Sequence, residues 1–244
     1  MSIASASRLS IVACLVATFV CGCASVESPQ AKDDLVMPEF RAPAAGALVV
    51  LMPAAPIAAA ESAGTHLALV QLDAQLRAAG YRVMAVDDAN FADLWRSEVE
   101  GEGGLYDPQT GKPRPEAMAR IWISLARRIG EQTHCALVLD YQLVPRSAVM
   151  SGHKAGWDGV VRDISFDRSH ERYTMSGSAP TLSVKLLAFS PAGELLFRQF
   201  GGTSLVYRIN TIDKRGAEIR PDLFLDDSET AEGVRVALRP LTRR

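Results

Sequence analysis

The chain is predicted to fold as an α/β protein, a single domain with a mixed sheet flanked by helices. In the first half, apolar runs typical of buried strands alternate with helical patterns, which gives a βαβ unit. In the second half, two apolar runs flank a turn sequence, which indicates an antiparallel hairpin. The sheet is therefore expected to be parallel in its first half and antiparallel in its second half.

The βαβ unit begins with the continuous apolar run 47–52, as expected for a buried strand. A helix is predicted over 65–79, and 81–86 forms the second strand. The helix is indicated by apolar residues that share one face: Leu69, Leu72 and Leu76. Such a crossover between parallel strands is almost always right-handed.

Two further helices are predicted before the chain returns to the sheet. Asp88 or Asn90 caps the first of them, in which apolar residues recur at helical spacing. Pro115 begins the second, and Gly130 is expected to end it. This second helix has the clearest apolar stripe of the chain: Met118, Ile121, Trp122, Leu125 and Ile129.

Strand signals dominate the rest of the chain. Residues 135–144 read as a third strand that Pro145 is expected to stop, and residues 190–193 read as a hairpin turn. Asp227 or Ser228 can cap a short final helix. Other strands are predicted over these ranges: 160–166, 181–189, 194–200 and 204–209.

The first 22 residues have the composition of a secretory signal. Arg8 is the only charge before an apolar run over residues 9–20. The sequence Val-Cys-Gly at 20–22 precedes Cys23 and resembles a bacterial lipobox, which implies cleavage before Cys23 and acylation of that cysteine. Residues 1–22 are thus predicted to be a lipoprotein signal peptide.

Three other interpretations of this segment stay open. The run 9–22 would be a short uncleaved anchor, although a helix needs about 20 residues to span a bilayer. Cleavage without lipid after Ala24 is a second alternative. A disulfide or metal pair of Cys21 and Cys23 is the third, which the apolar signal disfavours because thiolate ligands need a folded polar site.

Residues 23–46 are predicted to be the lipidated cysteine and a flexible tether, because a polar segment and a Pro/Ala segment there show no clear period. The α/β domain is assigned to 47–244. Ala24 follows Cys23, whereas an Asp there would suggest retention in the inner membrane. The expected location is the outer membrane, with the domain facing the periplasm.

Cys135 would be the only thiol left after processing, so no intramolecular disulfide is expected. It begins the apolar run 135–139, where a free cysteine packs as a small hydrophobic residue. A reactive nucleophile is the alternative, but the local sequence has no basic residue or helix start to lower the thiol pKa.

Charge patterning argues against two classes of partner. The formal net charge is −2, and charges of both signs are interspersed. The chain therefore lacks the basic footprint of a nucleic-acid-binding protein and the basic cluster that binds anionic lipids. Membrane contact is expected through the lipid on Cys23 alone.

Motif spacing predicts no enzyme, cofactor or metal site. The four histidines do not have metal-ligand spacing: His66, His134, His153 and His170. Gly111-Lys112 lacks the spacing of a phosphate-binding loop, and no Gly-x-Ser-x-Gly elbow occurs. The paired acids at 87–88 and 226–227 are best explained as residues at helix N-termini. A carboxylate pair assembled by the fold, as in a hydrolase, stays open.

Two loops place aromatic residues among glycines, namely 103–112 with Tyr106 and 156–160 with Trp157. Such aromatics either anchor a turn to the core or serve a binding surface. Tyr106, Trp157 and Asp158 are therefore the candidate interaction residues. The more frequent role, an aromatic that pins its loop to the domain, is kept as the alternative.

Five segments of the chain carry a resemblance to known proteins: 48–53, 78–81, 103–112, 157–160 and 182–187. Through them the chain resembles uncharacterised proteobacterial lipoproteins over roughly residues 46–205. Their core is similar to the α/β domain of curli-secretion lipoproteins and to the amino-terminal domain of the Tol-system propeller protein. The resemblance implies a non-catalytic periplasmic domain used for protein contacts or assembly, with no catalytic residues to carry over.

Three functions follow as hypotheses. The favoured one is an outer-membrane lipoprotein whose periplasmic domain binds another envelope protein. The second is a small-ligand or glycan-binding domain that uses Tyr106 and Trp157, and the third is an envelope hydrolase. A flat apolar patch would favour protein binding. A pocket lined by both aromatic residues would favour ligand or glycan binding, and clustered acids in one cleft would favour a hydrolase.

Overall fold

The computed structural model describes residues 31–53, 59–164, 175–210 and 216–242. The strands in these ranges are β1 (Leu35–Val36), β2 (Leu48–Leu51), β3 (Arg82–Ala85), β4 (Leu137–Gly152), β5 (Lys154–Trp157), β6 (Val160–Asp163), β7 (Met175–Phe189), β8 (Leu195–Leu205), β9 (Tyr207–Asn210) and β10 (Gly216–Ile219). The helices are α1 (Ala59–Ala78), α2 (Asp88–Gly101), α3 (Pro115–Thr133), α4 (Ser228–Ala237) and α5 (Arg239–Thr242).

One large mixed sheet organises the domain, and its strand order is β1-β8-β7-β4-β2-β3. The central strand β2 pairs in parallel with β3 and β4, whereas β4, β7 and β8 are antiparallel neighbours. The predicted α/β fold with a mixed sheet and flanking helices is confirmed. The pair β9 and β10 forms a separate small hairpin.

Helices cover the sheet on both faces. α1 and α4 pack on one face, while α2 and α3 pack on the other, and each layer has its own apolar core. Leu125, at the centre of the predicted stripe, is a fully buried residue on the inner face of α3. Cys135 is a buried free thiol, as expected for a small apolar residue at the start of a strand.

Two predicted stop signals are wrong. α3 continues through Gly130 to Thr133 and ends where His134 adopts a left-handed conformation. Gly130 has a packing role instead, because a Cβ there would lie 2.5 Å from the carbonyl oxygen of Pro191 in the hairpin turn. β4 also continues through Pro145, on a stretch that pairs with β7 after β2 has ended. Proline is tolerated where a strand has an unpaired edge.

Residues 31–46 belong to the domain rather than to a free tether. β1 pairs with β8, and the Asp33 carboxylate accepts hydrogen bonds from the Arg146 guanidinium. The ring of Phe40 packs edge-on against Phe197, with 5.3 Å between ring centroids. The predicted flexible tether therefore differs from the structure over residues 31–46, while residues 23–30 lie outside the described ranges.

The other predicted boundaries shift by a few residues. The strand predicted over 160–166 is described as β6 up to Asp163, and the one predicted over 204–209 is divided between the end of β8 and β9. The cap of α2 is Asp87 and not the predicted Asp88 or Asn90, and its carboxylate accepts the N–H of Ala89 and Asn90. The N-cap residue of α4 is Asp227, as predicted, but its side chain makes no capping hydrogen bond. The Asp226 carboxylate accepts the N–H of Ser228 instead.

Candidate functional site

Trp157 lies in the core and not on a binding surface. The turn between β5 and β6 places Asp158 and Gly159 at positive φ, the geometry of a tight hairpin. This turn directs the indole inward, where its N–H donates to the Leu182 carbonyl at 3.2 Å. Only 2% of Trp157 is exposed. The prediction that Trp157 serves an interaction is corrected by this burial, and the alternative role as an anchor fits.

Asp158 is also buried, and it organises a polar cluster rather than a contact surface. Its carboxylate accepts hydrogen bonds from the Arg146 guanidinium at 2.8 and 3.1 Å and from the Ser183 hydroxyl at 2.7 Å. The prediction that Asp158 is an interaction residue is corrected by this burial. The Asp158 carboxylate thus joins the turn to the long strands β4 and β7.

Beyond the end of β2, the strands β4, β5, β6 and β7 continue as an arm of the sheet. Close glycine packing completes the base of this arm. We call this base the arm joint and define it by these residues: Arg146, Trp157, Asp158, Ser183, Gly201 and Gly202. A Cβ on Gly202 would lie 2.7 Å from the Trp157 indole nitrogen. A Cβ on Gly201 would lie 1.8 Å from the carbonyl oxygen of Gly233 in α4. The Arg146 guanidinium stacks 4.3 Å above the Phe200 ring. These contacts give the arm joint a structural role.

Tyr106 is the one predicted interaction residue that reaches the surface, where 59% of it is exposed. Its loop is held by internal bonds. The Asp107 carboxylate accepts the N–H groups of Gln109 and Thr110, and these bonds lower the pKa of Asp107. The Arg114 guanidinium donates to three successive backbone carbonyls: those of Glu102, Gly103 and Gly104. The loop therefore presents Tyr106 at the surface on a turn held by hydrogen bonds, whereas Trp157 is buried in a different part of the chain.

A groove of about 540 Å³ lies along the outer edge of β3, between the first half of α2 and the end of α3. We call it the edge groove. Apolar residues form part of its lining: Met84, Ala85, Val86, Leu94 and Ile129. Polar residues form the rest: Asp87, Asn90 and Asp93 of the α2 side, and Arg128, Gln132 and Thr133 of the α3 side.

The two acids of the edge groove already have structural partners. One oxygen of Asp87 caps α2, and Asp93 forms an exposed ion pair with Arg96 at 3.0 Å. Arg128 of the opposite wall pairs with Glu98 at 2.8 Å. A hydrolytic carboxylate pair needs one acid held protonated in an apolar pocket, and neither groove acid has that environment. The arrangement suits binding better than hydrolysis.

The backbone along this groove has unused hydrogen-bonding capacity. The N–H groups of Arg82 and Val86 donate to β2. Because alternate residues of a strand point to opposite edges, the backbone groups of Val83 and Ala85 point away from the sheet. Within the described residues no strand pairs with this edge of β3. One outward carbonyl, that of Val83, accepts the Arg77 guanidinium at 2.9 Å.

Two other carboxylates have raised pKa values, each caused mainly by burial. Asp140 lies on β4, and burial raises its pKa to about 7. Its Oδ2 accepts from the Gln142 amide, whereas its Oδ1 has no hydrogen-bond partner among the described residues. Burial also raises the pKa of Asp34, to about 6. Asp140 is fully buried, whereas Asp34 is half-buried and accepts the N–H of Phe200.

No sequence motif marks the edge groove, and sequence reasoning missed it. Asp87 and Asn90 were recognised as residues near a helix start, but nothing indicated that β3 would be the last strand of the sheet. An exposed Met84 beside a buried Val50 on the next strand is the signal in the structure. The described ranges contain no cluster of three metal-ligating side chains and no helix long and apolar enough to cross a membrane.

Comparison with known proteins gives little guidance. No protein family model matches the chain, and no curated protein is similar enough to match. Among solved structures, a chain of a PelC variant from Paraburkholderia phytofirmans, a dodecamer, is similar with 16% sequence identity. The match covers 84% of this chain and 96% of that chain, with a TM-score of 0.36. A likeness of this size carries no statement about what the present chain does.

Proposed function

We propose that the protein is a lipid-anchored, non-catalytic component of the cell envelope whose domain binds another protein. The lipobox at Cys23 supports the anchor. The observation that supports protein binding is the edge groove, which lies beside an outer edge of β3 that pairs with no strand among the described residues. The expected location is the outer membrane, with the domain in the periplasm. The glycan-binding alternative loses its basis, because Trp157 and Tyr106 do not meet in one pocket.

The ordered start of the domain limits how far it can stand from the membrane. The described structure begins at Ala31, and Asp33 and Asp34 already contact the sheet. The chain from Cys23 to Ala31 extends at most about 28 Å. If Cys23 carries lipid, the edge of the sheet near β1 and β8 lies close to the membrane, and the opposite edge at β3 is directed away from it.

Metabolic labelling tests the anchor. Labelled palmitate should enter the wild-type protein but not Cys23→Ala, and the variant should leave the membrane fraction. The physical reason is that acyl chains contribute about 0.8 kcal/mol per buried CH₂ group. Cys135→Ala is the control and should keep its label. A Cys23→Ala protein that stays fully membrane-bound would contradict the anchor.

Crosslinking in cells tests protein binding. A photoreactive residue is placed at exposed positions on three surfaces: Met84, Tyr106 and Val70. We expect a discrete crosslinked partner from at least one of the first two positions, with Val70 on α1 as the control surface. If no position captures a protein at native expression, the binding function is wrong.

A further inference from the structure

We propose that the outer edge of β3, together with the edge groove, binds an extended strand of a partner protein that carries a basic side chain. The inference deepens the proposed function, on which it rests, by naming the surface and the chemistry of its partner. It depends on three features of the structure: the free backbone groups of β3, the shape of the groove and the charge of its α2 wall.

The free backbone groups call for an extended chain. Val83 and Ala85 present outward N–H groups two residues apart, and Ala85 adds an outward carbonyl. Another strand supplies carbonyl and N–H groups at this same two-residue repeat, which is how a peptide extends an exposed sheet edge. A small ligand or a helix does not offer this repeat, because a helix uses its own backbone groups internally.

The groove provides room for the side chains of such a strand. An added strand would lie about 4.8 Å from β3, and every second side chain would enter the space beneath α2 and α3. One side chain would cover Met84, which is 37% exposed, and the next would lie beside Val86 and Asp87. The apolar floor at Met84 favours an apolar residue in the first position.

The negative charge of the α2 wall favours a basic side chain at the second position of the partner strand, beside Asp87. Asp87 and Asp93 stand on the α2 wall, whereas Arg128, the basic residue of the α3 wall, is already paired with Glu98. Asp93 is paired with Arg96, whereas Asp87 accepts only backbone N–H groups among the described residues. A lysine or arginine of the partner would therefore meet the uncompensated charge of Asp87.

A peptide display experiment tests the inference. A library of nine-residue peptides is screened against the full-length lipoprotein in detergent micelles, and selected peptides are then measured by fluorescence anisotropy. The expected peptides alternate apolar and polar residues and contain lysine or arginine. Binding should weaken at least tenfold in Ala85→Pro, which removes an outward N–H but no hydrogen bond to β2.

Further variants separate a binding effect from misfolding. Met84→Lys should also weaken binding at least tenfold, and its thermal unfolding shows whether it is folded. Asp87→Asn keeps the helix cap, since Asn caps as well as Asp. Asp87→Asn should lower the affinity for basic peptides and reduce the salt dependence of their binding. Val70→Lys, on the exposed side of α1, is the matched control and should bind as the wild type does.

Three results would overturn the inference. The first is a screen that selects no peptide, and the second is binding that Ala85→Pro and Met84→Lys leave unchanged. The third is a dimer in sedimentation that Met84→Lys dissociates, which would assign the edge to a second copy. Crosslinks from Tyr106 but none from Met84 would also refute this surface while leaving the proposed function intact.

Discussion

The arm joint and the edge groove show two opposite uses of a sheet. In the arm joint, Trp157 and Asp158 are buried, hydrogen-bonded and packed against glycines. In the edge groove, Met84 is exposed and the outer backbone of β3 has no strand beside it within the described residues. The conspicuous sequence motif thus builds the fold, while ordinary residues line the surface that is open to a partner.

The largest expected effect comes from Trp157→Ala. Removing a buried indole leaves a cavity and removes one of the two side-chain hydrogen bonds that the Leu182 carbonyl accepts, the other coming from the Thr203 hydroxyl. The free energy of unfolding should therefore fall by about 3–5 kcal/mol in chemical denaturation. Tyr106→Ala is the matched control, because most of Tyr106 is exposed, and its change should stay within about 0.5 kcal/mol. Similar losses in both variants would contradict the distinction between anchor and surface.

Gly201→Ala should be the next most severe change, with a loss of about 3 kcal/mol. The added Cβ would meet the Gly233 backbone at 1.8 Å, so α4 must move away from β8. Gly101→Ala is the control, because a Cβ there meets nothing within 4 Å, and alanine suits a helix better than glycine does. A Gly201→Ala protein with unchanged unfolding would refute the close contact between α4 and β8.

The buried carboxylate of Asp140, in the layer beneath α3, should make the stability of the protein depend on pH. Burial raises the pKa of Asp140 from 3.8 to about 7, so the folded chain binds more protons than the unfolded chain between these values. The contribution of Asp140 to stability is therefore fully present below about pH 4 and is lost as the pH rises through 7. Asp140→Asn removes this loss.

Unfolding measurements from pH 4 to pH 8 check that sign. The Asp140→Asn protein should gain stability relative to wild type across this range, by about 1–3 kcal/mol at pH 8. Asp93→Asn, which makes the same change at an exposed carboxylate, is the control. A stability difference for Asp140→Asn that does not change with pH would mean that Asp140 is hydrated in solution.

Local patterns explain what the sequence could predict. The stripe of α3 around Leu125 repeats at helical spacing, and Asp87 stands next to the helix it caps, so a short window contains the whole signal. The roles of Gly130 and Trp157 depend on partners that are distant in sequence, namely Pro191 and the Leu182 carbonyl. A glycine in contact with a turn looks, in sequence, like a helix stop.

The edge groove was beyond sequence analysis for a topological reason. Whether β3 is exposed depends on which strand pairs beside it, and that is settled by the return of β4 to the other side of β2. The burial pattern of β3 differs from that of β2, yet both are short apolar runs in the sequence. Edge and centre therefore become distinguishable only when the whole sheet is assembled.

The smallest expected effect is the sharpest test of the comparison. Met84→Lys should change the free energy of unfolding by no more than about 0.5 kcal/mol, because the lysine stem can lie on the groove floor while its ammonium stays in water. Chemical denaturation of this variant beside Trp157→Ala measures the contrast directly. If Met84→Lys lowers the free energy of unfolding as much as Trp157→Ala does, Met84 is packed in the core in solution. The outer edge of β3 would then be covered and could not pair with a strand of a partner.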